Sequence, residues 1–171
     1  MGDGEAASAD TLAGLAALGG ALPFNRHLGV TVRRVDEGHC EAVLPADPRL
    51  TNHLGGVHAI ASLAPVELAG ALAAGGRLVG LVERGYVPVV GSLEVRYVAP
   101  ATGDLIAVGR LGPEVVDPAL AAAEEGRKPH VEVPVVVTDA GGEVVLEARV
   151  TFVFLPPAVE PGATPDTATT A

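Results

Sequence analysis

Residues 59–76, AIASLAPVELAGALAAGG, contain one ionisable side chain, Glu67. Ala and Leu dominate the stretch, and both favour helix. Gly75-Gly76 supplies a C-terminal stop. A helix from Ala59 to Gly76 is therefore expected. A helix that is apolar all round must be covered all round. A bilayer could do this. However, the run is Ala-rich, carries Pro65, Gly70 and Glu67, and lacks flanking basic or aromatic anchors. A curved sheet wrapped round the helix is the better solution, and the fold class is then α+β.

On helical spacing Glu67 shares its face with Ile60, Leu63, Ala64, Ala71 and Ala74, all apolar. Burial there raises the pKa of a carboxyl or demands a partner, for which Arg96 and Arg149 are candidates. A carboxyl held near neutrality suits general base chemistry. Before the helix lies a polar loop, Thr51 to His58, with Asn52, His53, His58 and the pair Gly55-Gly56. His58 and Glu67 are nine residues apart. That is about 13 Å along a straight helix and a net half turn, so one small site cannot hold both from one chain. If both are catalytic, one of them comes from a second subunit.

Working outward, Asp10 can cap a short helix over Thr11–Leu18, and Pro23–His27 reads as a loop. Two alternating strands, 28–35 and 39–44, flank the hairpin signal Asp36-Glu37-Gly38. Beyond the helix, Arg77–Pro88 reads as extended. Strands are expected over 89–99 and 104–116, a brief helix over 117–128, and strands over 131–138 and 143–154. Pro134 implies an edge or a bulge. Asp139 to Gly142 forms the last hairpin turn. Pro65, two residues before Glu67, should kink the helix and leave the Ala61 carbonyl unpartnered.

The chain has 171 residues, a net charge of −10, 49% hydrophobic residues and a single cysteine, Cys40. Its length suits one folded domain. The acidic balance argues against nucleic acid or an anionic membrane as partner. One cysteine permits no intrachain disulfide and is most simply a buried strand residue. The acidic N-terminus is no signal peptide, so a cytoplasmic protein is expected. The expected division is a tail and short helix over 1–22, the folded domain over 23–156, and a disordered, Pro/Ala/Thr-rich tail over 157–171.

The sequence resembles the hotdog-fold superfamily over about residues 25–155. It is most similar to the phenylacetate-type acyl-CoA thioesterases and to a neighbouring hotdog family of unassigned function. The resemblance rests on Asn52-x-x-Gly55-x-x-His58 with a carboxylate nine residues on at Glu67, and on the run from Ser92 to Asp104. It implies a hotdog fold, a curved antiparallel sheet wrapped round one long central helix. It also implies a catalytic set of Glu67 (base or nucleophile), Asn52 (orienting water or thioester), His58, and Ala59, whose N–H would bind the oxyanion. Gly55, Gly56 and Ile60 would line the substrate. The Gly-Gly that follows the histidine in the thioesterases is Ala59-Ile60 here, which pulls the chain toward the unassigned family. The implied substrate is an acyl thioester, with coenzyme A as carrier, and the implied assembly a dimer or dimer of dimers. No cofactor is implied. The alternatives are a non-catalytic hotdog protein binding an acyl or other small apolar ligand, and a hotdog hydratase. His53 and His58 lack the further ligands a metal needs, so none is expected.

Overall fold

The computed structural model describes residues 9–157. Residues 1–8 and 158–171 lie outside them, and with the latter all of the expected disordered tail 157–171 except Pro157. The elements are α1 (Ala9–Ala21), α2 (Pro23–Leu28), β1 (Thr31–Asp36), β2 (His39–Leu44), α3 (Leu63–Arg77), α4 (Val79–Glu83), β3 (Val87–Tyr97), β4 (Leu105–Arg110), α5 (Val116–Glu124), β5 (His130–Thr138) and β6 (Val144–Leu155). The six strands form one antiparallel sheet in the order β1-β2-β4-β5-β6-β3. Both expected hairpins are present. Gly38 and Gly142 take positive φ in their turns, and Asp139 Oδ1 accepts the N–H groups of Gly141 and Glu143.

α3 is the expected central helix, and most of its residues are buried. The sheet covers one side of it. A Cβ added at Gly109 of β4 would stand 2.7 Å from the Ala69 carbonyl oxygen, and one at Gly70 would stand 2.8 Å from Phe152. Glycine at both positions lets helix and sheet approach this closely. α1 covers the opposite side, with Gly19 against Leu68 and Leu72, Leu15 near Gly75, and Leu12 near Gly76. This two-sided burial explains the helix's apolar circumference. Cys40, Ala42 and Leu44 face inward on β2, as their alternation predicts. No helix of the described residues is long and apolar enough to cross a membrane.

Four local expectations are corrected. The helix begins at Leu63, not Ala59, so Pro65 occupies its first turn. An N–H there has no intrahelical partner, so Pro65 removes no helical bond. The Ala61 carbonyl instead accepts the Ala64 N–H at 3.2 Å. Second, Arg77–Pro88 is not extended: Arg77 ends α3, and α4 follows because Leu78, Val79 and Leu81 find buried positions. Gly85, at φ 83, ends that turn. Third, Pro23–His27 is helical, with Pro23 in the first turn and Gly29 as a left-handed cap. Fourth, β4 stops at Arg110, because the chain leaves the sheet through Pro113 into α5. The β4–β5 ladder therefore ends at Gly109↔Val135. Pro134 lies just past it, so its missing N–H falls where β5 is a local edge.

Candidate functional site

The loop before α3 is held by the Asn52 side chain. Its Oδ1 accepts the N–H groups of Leu54 at 2.9 Å and Gly56 at 3.2 Å, and its Nδ2 donates to the Val57 carbonyl at 3.2 Å. Gly55 takes φ 81, and a Cβ on Gly56 would stand 2.9 Å from the Ala101 carbonyl oxygen. Both glycines answer a backbone requirement of this loop.

Ala59 to Ser62 form a turn leading into α3. His58 caps it: its Nδ1 accepts the Ile60 N–H at 3.1 Å. The Ala59 carbonyl accepts two hydroxyls, Tyr97 Oη–H of β3 at 2.9 Å and Ser62 Oγ–H at 2.7 Å. The Ala59 N–H has no acceptor among the described residues. Asn52 and Ala59 line one small recess of about 120 Å³ with Ser62, Tyr97 and Ala101.

Glu67 lies elsewhere. It stands in a cleft of about 310 Å³ walled by Phe24 of α2, Ile60, Leu63, Ala64, Val90 and Leu93 of β3, and Val150 of β6. Every wall residue but Glu67 is apolar. Burial pushes its carboxyl above the usual glutamate range. Among the described residues it has no hydrogen-bond or ion-pair partner. Arg96 and Arg149 do not reach it: they pair with Glu147 and Glu132.

The predicted residues thus divide. Asn52 and Ala59 share the recess, Ile60 and Glu67 share the cleft, and Gly55, Gly56 and His58 build the loop between strand and turn. No residue lines both cavities. The two lie along the seam between α3 and edge strand β3. Tyr97 marks one end and Leu93 the other, four residues or roughly 13 Å apart. Tyr97, Ser62 and Phe24 were not singled out from sequence. Tyr97 shares a strand face with Leu93 and Val95 and pairs opposite Leu146, but a hydroxyl aimed at a carbonyl 38 residues away leaves no local signal. Among the described residues, no three His, Cys, Asp or Glu side chains are grouped to hold a metal ion.

The family model described as Domain of unknown function (DUF4442) matches residues 13–154. No curated protein matches the chain. Among solved structures, it is similar to a Pseudomonas aeruginosa protein of unknown function that carries the name Probable Thioesterase, with TM-score 0.69 and 23% identity over 83% of this chain and 93% of that one. It is also similar to a thioesterase from Haemophilus influenzae, with TM-score 0.67 and 21% identity over 88% and 94% of the two chains. A mutant thioesterase from Pseudomonas aeruginosa gives TM-score 0.65 and 21% identity over 85% and 94%. At such identities the likeness shows the fold alone, which is a hotdog.

Proposed function

This chain belongs to the family described as Domain of unknown function (DUF4442), and from that premise we propose that it hydrolyses thioesters of small apolar acyl groups. The observation that carries the reading is Glu67: a carboxyl with raised proton affinity and no partner among the described residues, on the wall of an apolar cleft. A carboxyl in such a place is costly to the fold and suited to general base work.

In this reading the acyl group occupies the cleft against Phe24, Ile60 and Leu93. The Glu67 carboxylate takes a proton from water, and the water oxygen attacks the thioester carbonyl carbon. The oxyanion so formed accepts a hydrogen bond from the Ala59 N–H. The C–S bond then breaks, the carbonyl re-forms, and the leaving thiolate receives the proton held by Glu67. The products are a carboxylic acid and a free thiol, with coenzyme A as the thiol carrier.

The separation of recess from cleft supports a two-chain site. β3 is a sheet edge of eleven residues. Its open side offers unpaired backbone groups, a template for a further strand. Val87, Val89, Val90, Leu93, Tyr97 and Val98 leave apolar surface exposed along it, and exposed apolar patches of this kind mark interfaces. A second copy pairing antiparallel about a two-fold axis at Val95 sets Tyr97 of one chain opposite Leu93 of the other. That register brings the Ala59 N–H of one subunit to the Glu67 cleft of its partner.

A second reading, apolar ligand binding without turnover, is favoured by Ile60. It is 66% exposed at the cleft wall, beside Ala59, where it narrows the approach to the backbone. Hydrolysis of a panel of short, medium, long and aryl acyl-CoA thioesters separates the two. The expected result is turnover of the compact acyl groups that falls about 10²-fold or more in folded Glu67→Gln. Absence of turnover on every thioester, with an apolar ligand still bound, overturns hydrolysis in favour of binding.

A further inference from the structure

The turn that carries Ala59 is fixed on each side of one open N–H. The His58 N–H donates to the Leu50 carbonyl at 2.7 Å, and the His58 carbonyl accepts the Ser62 N–H at 3.1 Å. The Ile60 N–H is taken by His58 Nδ1, and its carbonyl accepts the Leu63 N–H at 3.1 Å. The Ala59 carbonyl is doubly held, by Ser62 from within the turn and by Tyr97 from β3. Between these anchored groups the Ala59 and Ala61 N–H groups are without an acceptor among the described residues, and of the two residues Ala59 is the exposed one. A donor aimed at a developing charge gains most when its peptide is held in place before the reaction.

From this pattern we infer that Tyr97 is a positioning residue: its hydroxyl, with that of Ser62, locks the Ala59–Ile60 peptide, which adjoins the His58–Ala59 peptide held through the His58 carbonyl, and so keeps the Ala59 N–H aimed at the reacting carbonyl. The inference rests on the hydrolytic reading above and adds to it a residue outside the loop and the helix. Tyr97 differs from Ser62 in coming from the edge strand. Its bond ties the turn to β3, the strand on which the partner's Leu93 and cleft register in the proposed dimer. The oxyanion donor and the subunit interface are thereby set by one side chain. Ser62 is buried and local to the turn, so it stabilises the turn's shape, whereas Tyr97 fixes its place relative to the sheet.

Tyr97→Phe removes the hydroxyl and keeps the ring. The side chain is half exposed, so the fold should tolerate the change. Two readouts are taken on the full-length protein: steady-state hydrolysis of the acyl-CoA that wild type turns over fastest, and amide hydrogen exchange by NMR. The expected result is a kcat lower by about tenfold or more with KM within about twofold. Exchange at the Ile60 and Ser62 amides should also quicken by about tenfold while that at Val133 is unchanged. Unchanged exchange at Ile60 and Ser62 overturns the lock. Faster exchange with an unchanged kcat overturns its part in the reaction. Wild type that hydrolyses no thioester counts against the hydrolytic reading, and the exchange measurement then decides the lock by itself.

Discussion

Glu67 was conspicuous in the sequence as the one ionisable side chain in a long apolar run, and the structure places it half-buried without a partner among the described residues. The consequence for stability follows from its raised proton affinity. Below the carboxyl's unfolded-state pKa, folded and unfolded chains both carry the proton, and the residue costs nothing. As pH rises, the unfolded chain releases its proton first, so stability falls until the folded pKa is passed. Glu67→Gln removes this penalty. Its melting temperature should match wild type near pH 4 and exceed it by about 2 °C or more at pH 8 in a thermal melt. Hydrolysis should run the other way, with wild-type activity lost as pH falls through the folded pKa of Glu67. A variant that is both less active and more stable is the signature of a group kept for function. Cys40 shows the opposite case. Burial, with the charge of Glu41 adding to it, pushes its thiol up to about 12, which makes it an inert core residue.

At the scale of elements, α3 and the sheet are fitted through glycine. Gly109 is the tightest such contact, since its neighbour is the backbone of α3 rather than a flexible side chain. Gly109→Ala should therefore lower unfolding free energy by about 1–3 kcal/mol in urea denaturation, with an unchanged slope. A loss below measurement would mean that helix and sheet slide apart freely. The order of the strands along the chain, the hairpins and the inward face of β2 were legible because periodicity and turn residues are local signals. The helical character of 79–83 was not. Leu78, Val79 and Leu81 suit a strand as well as a helix, and only the room left beside α3 decides between them. The true start of α3 was hidden too, because Ala59–Ser62 has helical composition but uses its backbone groups for a tight turn tied to Tyr97.

On the scale of the whole molecule, one chain presents a candidate oxyanion donor and a candidate base in separate cavities at opposite ends of the β3 seam. The spacing of His58 and Glu67 already suggested that one chain would not bring them together. The spacing could not reveal which strand would mediate a meeting of two chains, because an edge is defined only once every pairing is known. If two subunits share each site, two variants that are inactive alone complement one another. Glu67→Gln lacks the base, and Ala59→Pro lacks the backbone donor. The decisive measurement is thioester hydrolysis by an equal mixture of the two after dissociation and re-association, with each variant checked for folding and light scattering confirming a dimer. Half the re-formed dimers are mixed and each holds one intact site, so the account predicts recovery of about a quarter of wild-type activity. A mixture no more active than its parents, or a wild type that is monomeric while active, contradicts it.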